Sequence, residues 1–555
     1  MENSKAKWYF AVVLGLSLLL FSFRLGERPF RNPDEGRYAE IAREMVLSKQ
    51  WIEPKLYGVD YLSKPPLFYW LLAASFKTFG FNEGAARAIP AVFGFLGVGL
   101  VYFFVRRYFG ARSAVFSALI LATNIWYLQI SRYVITDAVF SFFLVGALFS
   151  FYAFLRDDRR IFLFLFYIFS ALAFLSKGIA GVALPALVVL VYFLVLRRVH
   201  EGVARSLSPG GAMLFFLIVF PWLFAITVRR PSFPETFLFH EHLSRYLSAS
   251  FEHQEPWFFY FALLPLVFFP WSLFAPVLKR AGTAGHGFTK DRRLYFWVTF
   301  VVVLLFYSIS RSKLATYLMP LLAPGAVLLG EAWARWTEAG KTETNMRPSV
   351  WVTLLLSGAL LGSAVVVILS PVIGFRFPHK IPAELRPVAF SGLLLVIAGF
   401  GSVIYCLLKN KRSAAFYSMV AFLSAASVLV AYSMEGLNSF YTTKPFAEIL
   451  RPRLKQGEEV FVYGSPGAFY DFMFYLDYPV KLVGLEGELE LAKGNPENEA
   501  VAVSAGEFQK LLSDGRRSFY CLMRRSDFLG MDAKIREKLK VLSQDRRKVL
   551  VSRIL

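Results

Sequence analysis

The chain has 555 residues, of which 56% are hydrophobic and 17% aromatic, and its formal net charge is +22. With a mean hydropathy of +0.50 it is too apolar to be a large soluble enzyme, and it is typical of a polytopic membrane protein. The positive charge is concentrated in short loops, where it sets topology and does not indicate nucleic-acid binding. Cys406 and Cys521 provide neither a disulfide framework nor a metal-ligand spacing.

Apolar stretches that could cross a bilayer recur along the chain. A spanning helix needs roughly 20 apolar residues, and about thirteen such stretches are present. The first follows Lys5 and Lys7 as in a signal peptide, but no small-residue cleavage site comes after it, so we expect an uncleaved first span. The predicted spans are 8–23, 89–105, 113–130, 136–155, 161–175, 179–196, 211–228, 257–277, 294–309, 314–334, 350–370, 389–408 and 414–433.

Lysine and arginine are enriched in alternate loops between these spans, which is the pattern of cytoplasmic loops. With the N-terminus in the cytoplasm, the exception is the loop with Arg376, Lys380 and Arg386, which falls on the outer side. The long outer loops are then 24–88 and 229–256. An odd number of spans places the C-terminal segment outside the cytoplasm as well.

The segment 439–555 differs from the rest because its apolar runs are short and alternate with polar helices. We expect a transmembrane domain over 1–438, followed by a small α/β domain of about 110 residues. The predicted strands are 459–463, 500–503 and 519–523, and the predicted helices are 508–512 and 533–542.

The most distinctive sequence, residues 31–40, lies in the first outer loop. Apolar residues at helical spacing after Asp34 and Glu35 predict an amphipathic helix on the membrane surface. Both carboxylates lie at its N-terminus, where the helix dipole favours their ionised form. They are candidates for catalysis, or they simply cap the helix.

Lys64 is followed by two prolines, which hold it on a stiff turn. The stretch 71–79, closed by Gly80, predicts a second interfacial or re-entrant helix. A fixed ammonium at the membrane surface suits a lipid phosphate. The alternative is a lysine that only reaches to the interface from an apolar surface.

Other candidates lie at the outer ends of spans. Asp137 starts the fourth span, where it either acts in chemistry or caps a helix. Tyr317 lies in the tenth span and is either a ligand contact or an interfacial anchor. His240 and His242 lie near Arg245, but the His-x-His spacing places both rings on one face only in a strand, which disfavours a two-histidine metal site.

Taken together, these motifs resemble a known family. Residues 34–45, 64–66, 240–242 and 313–317 are similar to the motifs of the bacterial lipid A aminoarabinose transferases, which belong to the protein-O-mannosyltransferase-like group of GT-C glycosyltransferases. The resemblance covers nearly the whole chain. It implies a GT-C fold of about thirteen transmembrane helices, with periplasmic interfacial helices and a C-terminal periplasmic α/β domain.

The resemblance implies an inverting transferase that moves a sugar from undecaprenyl phosphate to a lipid acceptor such as lipid A, at the periplasmic face of the bacterial inner membrane. A carboxylate can deprotonate or orient an acceptor hydroxyl, while cations and a phenol stabilise the departing phosphate. Direct displacement from one face gives inversion. By motif position the resemblance implies catalytic roles for Asp34 and Asp137, and donor-phosphate contacts for Lys64, Arg245 and Tyr317. Glu35, beside Asp34, is a third catalytic candidate.

The chain departs from the family at one position. The family commonly has a glutamate before the Lys-Pro pair that binds zinc together with a loop histidine, but this position is Ser63 here. His240 therefore lacks its partner, and we expect no cofactor and no zinc site of this type, with a divalent metal at His240 as the alternative.

Other functions stay open from the sequence. A protein O-glycosyltransferase of the same superfamily would use the same kind of donor. A secondary transporter would place its ionisable groups near the bilayer midplane, whereas here they crowd the ends of the spans. A non-catalytic envelope scaffold would not explain the motif at Asp34. The expected partners are an undecaprenyl-phosphate-linked sugar, a glycolipid acceptor and membrane lipids.

Overall fold

The chain divides into two compact units. We call the first, Met1–Leu25, Pro90–Pro221 and Leu238–Met434, the helical unit, and the second, Gly26–Ile89, Trp222–Phe237 and Glu435–Leu555, the mixed unit. The computed structural model describes residues 2–235, 237, 254–275, 290–338, 386–438, 441–464, 466–485, 489, 498, 502–514 and 518–553.

Helices make up most of the described residues outside the C-terminal segment. Their bounds are Glu2–Ser22, Asp34–Ser48, Leu67–Phe79, Glu83–Phe109, Ala111–Ala122, Ile125–Ile130, Asp137–Asp157, Arg160–Lys177, Ala180–Val195, Val199–Ser206, Pro209–Arg229, Phe233–Glu235, Phe259–Val267, Lys290–Ile309, Met319–Glu338, Arg386–Leu408 and Arg412–Asn438, with short 3-10 helices at Trp271–Phe274 and Ala315–Leu318.

Several of these helices could cross a membrane. Within the described ranges, 7 helices are long and apolar enough to do so by length and composition. They are Glu83–Phe109, Asp137–Asp157, Arg160–Lys177, Pro209–Arg229, Ala315–Glu338, Phe390–Leu408 and Arg412–Tyr432.

Most predicted spans coincide with a helix, but 113–130 is interrupted. The helix Ala111–Ala122 ends there, and Asn124 caps a second helix by accepting a hydrogen bond from the Tyr127 backbone N–H at 2.8 Å. The predicted span 257–277 is also interrupted, between Phe259–Val267 and Trp271–Phe274, and its last two residues lie outside the described residues. The predicted span 350–370 lies outside the described residues. The number of spans therefore stays a prediction.

The first outer loop of the mixed unit folds around a small hairpin. Its strands are β1 (Lys55–Leu56) and β2 (Val59–Asp60), which pair antiparallel. The turn residues Tyr57 and Gly58 both have positive φ, the geometry of a type I′ hairpin turn. Their backbone N–H groups both donate to the carboxylate of Glu44, at 2.5 and 3.0 Å. The hairpin is thereby attached to the helix Asp34–Ser48.

The predicted helix after Asp34 is confirmed, but most of its charged residues are buried. The helix runs from Asp34 to Ser48, and Glu35, Arg37, Glu40 and Arg43 are all buried in it. These charges can be buried because ionic partners within the mixed unit satisfy them. The helix is an internal element of this unit.

The C-terminal segment contains a five-stranded mixed sheet. Its strands are β3 (Glu459–Tyr463), β4 (Lys481–Val483), β5 (Phe519–Arg524), β6 (Lys540–Gln544) and β7 (Lys548–Arg553), in the order β4-β3-β5-β7-β6. Strand β3 is parallel to β4 and β5, and β7 is antiparallel to β5 and β6. The helices of the segment are Lys444–Leu450, Phe472–Leu476, Ala505–Asp514, Arg525–Leu529 and Ala533–Arg536, with 3-10 turns at Arg451–Arg453 and Pro466–Ala468.

The strands β3 and β5 and the helix over 508–512 are confirmed, but the helix predicted over 533–542 is wrong. It ends at Arg536, and β6 begins at Lys540. The reason is the neighbouring strand β7, whose Val549 and Val551 are buried in the core of the sheet and whose backbone pairs with β6. Of the predicted strand 500–503, residues 500 and 501 lie outside the described residues, and Val503 makes an isolated parallel bridge to Val483.

Candidate functional site

Asp34 is the first residue of its helix and has a partly accessible carboxylate. Its Oδ1 accepts a hydrogen bond from Arg37 Nη2 at 2.6 Å, and its side chain is 39% exposed. Pro33 occupies the cap position, so Asp34 is not the capping residue. Arg37 also lies over the rings of Tyr38 and Tyr61, at 5.0 and 5.8 Å from their centroids. This guanidinium orients the carboxylate from the next turn of the helix.

Glu35, by contrast, is fully buried. Its carboxylate accepts hydrogen bonds from Arg87 Nε at 2.7 Å and Arg87 Nη2 at 2.8 Å, and from the Arg31 backbone N–H at 3.0 Å. Burial alone would raise the pKa of Glu35, but the Arg87 guanidinium outweighs it and holds the pKa below its usual range. A buried, permanently paired carboxylate is suited to fixing the turn before Asp34. The catalytic role expected for Glu35 stays a prediction, and this geometry favours a supporting one.

A second buried charge cluster lies further along the same helix. Glu40 accepts two hydrogen bonds from Arg43, at 2.9 and 3.0 Å, and Arg43 Nη1 donates to Asp477 Oδ1 at 3.0 Å. Burial raises the pKa of Glu40 to about 8, since the cation of Arg43 offsets only part of the cost and the carboxylate of Glu44 adds to it. Burial also raises the pKa of Glu44. The two carboxylates act as a coupled pair that retains a proton near neutral pH.

Lys64 lies half-buried in the turn that leads into the helix Leu67–Phe79. Pro66 occupies the N-cap position of that helix, and Gly80 ends it with a φ of +79°. The predicted second helix is thus confirmed, beginning four residues earlier than expected. Ser63, next to Lys64, is buried, and its hydroxyl has no hydrogen-bond partner in the described part of the chain.

In the helical unit, Asp137 begins the helix Asp137–Asp157 and pairs with a lysine. Its Oδ1 accepts a hydrogen bond from Lys177 Nζ at 2.6 Å, and both side chains are largely buried. The same Nζ lies 4.3 Å from the ring centroid of Tyr317, in the 3-10 turn Ala315–Leu318. The structure therefore brings two predicted site residues together around a cation that the sequence did not single out.

The same unit contains a basic cavity of about 410 Å³ beside Arg311 and Lys313. Lys313 Nζ donates to the backbone carbonyl of Glu255 at 2.9 Å, and burial lowers the pKa of Lys313. Trp257 also lines the cavity and is largely exposed. The cavity is thus lined by one exposed cation, Arg311, and one buried cation, Lys313.

Two predicted site residues, Arg245 and His240, lie outside the described residues. Within the described ranges, no group of three or more histidine, cysteine, aspartate or glutamate residues is placed to hold a metal ion. Since His240 is outside those ranges, the expectations about a metal at this position stay predictions.

Sequence reasoning missed Arg37, Arg87 and Lys177. Arg87 is fully buried, and Lys177 ends an apolar helix directly before Gly178. A signal for Lys177 was present, because the predicted topology placed residues 176–178 on the same outer side as Asp137. Nothing in the sequence beyond their charge marked Arg37 and Arg87 as site residues, because only the tertiary fold shows which carboxylates they contact.

Three kinds of comparison relate the chain to known proteins. A family model described as dolichyl-phosphate-mannose-protein mannosyltransferase matches residues 63–224. An undecaprenyl phosphate-alpha-4-amino-4-deoxy-L-arabinose arabinosyl transferase from Pectobacterium atrosepticum is 30% identical over 417 residues, which cover 74% of this chain and 73% of that protein. A protein of the same name from Aeromonas salmonicida is 29% identical over 398 residues, or 71% of each chain.

The fold also matches a solved structure. The crystal structure of ArnT from Cupriavidus metallidurans bound to undecaprenyl phosphate aligns with a TM-score of 0.81 at 24% identity, covering 98% of each chain. The predicted GT-C fold class is thereby confirmed in its overall form, a helical protein with a small sheet region. The boundary predicted at residue 438 stays a prediction.

Proposed function

Since the chain belongs to the family of undecaprenyl phosphate-alpha-4-amino-4-deoxy-L-arabinose arabinosyl transferases, we propose that it transfers a sugar from undecaprenyl phosphate to a lipid acceptor such as lipid A. Membership makes the chain a glycosyltransferase that depends on a polyprenyl-phosphate sugar. The observation that carries the proposal is the similarity to the Pectobacterium enzyme over about three quarters of both chains. The sugar itself is part of the proposal.

The geometry at Asp34 supports a role in activating the acceptor. Its carboxylate is partly exposed, whereas Glu35 and Glu40 on the same helix are buried. In the proposed step, Asp34 orients the acceptor hydroxyl and takes up its proton as the oxygen attacks the anomeric carbon. The bond between that carbon and the phosphate oxygen breaks, and its electron pair leaves with undecaprenyl phosphate. Attack from the face opposite the phosphate inverts the anomeric centre.

The proposed task of the cations is to stabilise the departing phosphate. The cations of Lys64 and Arg245 and the phenol of Tyr317 retain this role as proposals. Lys177 joins them, because its ammonium lies against the ring of Tyr317. Cations fixed in place before the reaction stabilise negative charge more effectively than mobile ones. The carboxylate of Asp137 is proposed to hold Lys177 in position and to contribute to the site, as its motif position implies.

We propose that the chemistry occurs on the periplasmic side of the inner membrane. The composition of the mixed unit supports this, because segments that fold into one compact unit lie on one side of the membrane. Its segments are Gly26–Ile89, Trp222–Phe237 and Glu435–Leu555. The positive-inside pattern independently predicts that these loops and the C-terminal segment lie outside the cytoplasm. The apolar helices and the family agree with a multi-pass membrane protein.

Replacement of Asp34 tests the catalytic part of the proposal. We expect Asp34→Asn to lower the turnover of the reconstituted enzyme by roughly 100-fold to 10,000-fold, because the general base is lost. Thermal unfolding and binding of undecaprenyl phosphate should be unchanged. The matched control is Asp532→Asn, an exposed aspartate of the same unit. Normal turnover by the Asp34 variant would exclude Asp34 as the base.

A second candidate acceptor is a protein hydroxyl, favoured by the family model that matches residues 63–224. Mass spectrometry of envelope lipids and proteins from cells with and without the gene separates the two. A gene-dependent sugar on lipid A supports the lipid acceptor. The same sugar on serine or threonine residues, with unmodified lipids, would replace it with the protein acceptor.

A further inference from the structure

Asp471, in the C-terminal segment, is the centre of a buried polar network that reaches the start of the helix of Asp34. It precedes the helix Phe472–Leu476 and is fully buried. Its carboxylate accepts hydrogen bonds from Thr442 Oγ1 at 2.8 Å, from Thr443 Oγ1 at 2.7 Å and from the Thr443 backbone N–H at 2.9 Å. Lys548 Nζ donates to the Thr442 carbonyl at 2.7 Å, which joins the network to strand β7.

Asn32 provides the link to the first outer loop. Its Nδ2 donates to Asp471 Oδ1, and its Oδ1 accepts from the Asp471 backbone N–H at 3.1 Å. The same Nδ2 lies within hydrogen-bond distance of the carbonyls of Ala468 and Tyr441, at 3.1 and 3.3 Å. Asn32 is therefore held at both ends of its amide, two residues before Asp34.

Gly36 provides a second contact, two residues after Asp34. A Cβ atom at this position would lie 2.6 Å from the Asp471 backbone nitrogen and 2.8 Å from its Cβ. Only a residue without a side chain lets the helix approach Asp471 this closely. Asn32 and Gly36, which both contact Asp471, therefore lie two residues before and two residues after Asp34.

Further contacts follow the same pattern along residues 468–477, which we call the cradle segment. Tyr475 Oη accepts from the Phe30 backbone N–H at 2.7 Å, and Tyr57 Oη donates to the Phe469 carbonyl at 2.7 Å. The cradle segment thus contacts the first loop before and after the helix that carries Asp34. Among these contacts, the one with Asp471 is the nearest to Asp34 in sequence.

From this geometry we propose that Asp471 is a positioning residue for sugar transfer, which sets the location of the Asp34 carboxylate through Asn32 and Gly36. The inference rests on the proposed function, in which Asp34 activates the acceptor. It assigns the C-terminal segment a part in the reaction without any contact of Asp471 with substrate. A displacement of about 1 Å at a reacting group can cost roughly 100-fold in rate, so small changes at Asp471 are sufficient.

The decisive variants exchange the amide of Asn32 and the carboxylate of Asp471. Asp471→Asn and Asn32→Asp each break the complementary pattern, by placing two amides or two carboxylates against each other. The double variant with both exchanges restores one amide and one carboxylate in reversed order. It is compared with Asn32→Asp, because both variants lose the Asn32 donor to the carbonyls of Ala468 and Tyr441. In Asp471→Asn the side chain has a single oxygen, which can accept from Asn32 Nδ2 or from the Thr443 backbone N–H but not from both, so thermal unfolding of every variant is measured beside its activity. Asp532→Asn is again the control.

The assay uses the full chain in lipid nanodiscs, with undecaprenyl phosphate-alpha-4-amino-4-deoxy-L-arabinose as donor and lipid A as acceptor. We expect each single variant to lose roughly 100-fold in kcat with little change in the donor KM, and the exchange to recover at least about 10-fold. Wild-type kcat in Asp471→Asn would overturn the inference. So would a loss of activity that only follows the loss of folded protein.

One further variant separates this inference from the proposed function. In Asp34→Asn, the carboxylate to be positioned is absent, so adding Asp471→Asn should lower the residual rate no further. If the two losses multiply instead, Asp471 does not act through Asp34. If Asp34→Asn alone has normal turnover, the role of Asp34 fails. If Asp34→Asn is inactive while Asp471→Asn is normal, only the positioning role fails.

Discussion

Lys177 illustrates how single charged residues are accommodated in this protein. Its ammonium lies between the carboxylate of Asp137 and the ring of Tyr317, at 2.6 Å and 4.3 Å respectively. Each interaction favours a cation at this point, and the ion pair is largely removed from solvent. Loss of the cation therefore leaves a buried carboxylate without this partner.

We expect Lys177→Met to lower the free energy of unfolding by about 3–5 kcal/mol, the usual cost of breaking a buried pair from one side. Adding Asp137→Asn should recover part of that loss, because the remaining partner no longer carries a charge. Thermal unfolding of the purified single and double variants measures both effects. Strictly additive losses would contradict a direct pairing of Lys177 and Asp137.

The contrast between Asp34 and Lys177 indicates which site residues a sequence reveals. Asp34 was identified because it lies in a polar stretch of an otherwise apolar chain, where a charged motif has few structural explanations. Lys177 is a single lysine at the end of an apolar helix, a position at which most lysines simply reach the interface. Its role depends on a contact with a residue 40 positions away, which no local pattern records.

At the level of secondary structure, the helix Asp34–Ser48 was predicted correctly from its periodicity, while its surroundings were not. The same spacing of polar residues fits a helix on a membrane and a helix whose charges meet partners inside a protein. Arg43 distinguishes the two, because it bonds both Glu40 in its own helix and Asp477 in the C-terminal segment. The partner Asp477 is 434 positions away, beyond the reach of periodicity.

The acidic pair on this helix predicts a specific pH dependence of stability. Burial raises the pKa of Glu40 from its ordinary value to about 8, so the folded state retains a proton that the unfolded chain releases above its ordinary carboxyl pKa. This contribution to stability is complete at acidic pH and is lost as the pH rises through about 8. Unfolding temperatures measured between about pH 6 and about pH 9 should therefore fall with pH.

Glu40→Gln tests the origin of that slope, since glutamine resembles the protonated carboxyl and does not titrate. We expect the fall in unfolding temperature to be smaller in this variant. Glu448→Gln, at an exposed position of the same unit, is the control and should keep the wild-type slope. An unchanged slope in Glu40→Gln would assign the effect to other groups.

The C-terminal sheet was predicted in part, for a similar reason. Strands β3 and β5 are internal to the sheet and apolar, so their composition alone identifies them. Strand β6 lies at the edge, and Lys540 and Val541 are exposed. Its residues are compatible with a helix, and only pairing with β7 makes them a strand.

For the molecule as a whole, the distribution of lysine and arginine predicts which segments lie on the same side of the membrane. It does not predict that these segments fold into one unit. The mixed unit collects the first outer loop, a short piece after Pro221 and the C-terminal segment. Asn32 and Asp471, which link two of them, are both buried polar residues. Such residues have no hydrophobic pattern that would have marked them as part of one core.

Ser63 is the basis for predicting whether the intact enzyme requires a metal. A buried neutral hydroxyl lacks the charge of the glutamate expected at this position, so it is a poor zinc ligand. We expect the purified protein to retain its transfer activity after treatment with a chelator. Stoichiometric bound zinc, with activity restored only by adding metal back, would contradict this expectation and implicate His240.

The contact between Asn32 and Asp471 also has a consequence for biosynthesis. Its two partners are 439 positions apart in the chain. At a synthesis rate of about 5–20 residues per second, Asn32 leaves the ribosome roughly 20–90 s before Asp471. On the predicted topology, the first outer loop crosses the membrane during that interval, without the segment that completes its hydrogen bonds. We therefore expect the newly made loop to be accessible to proteases until Asp471 has been translated.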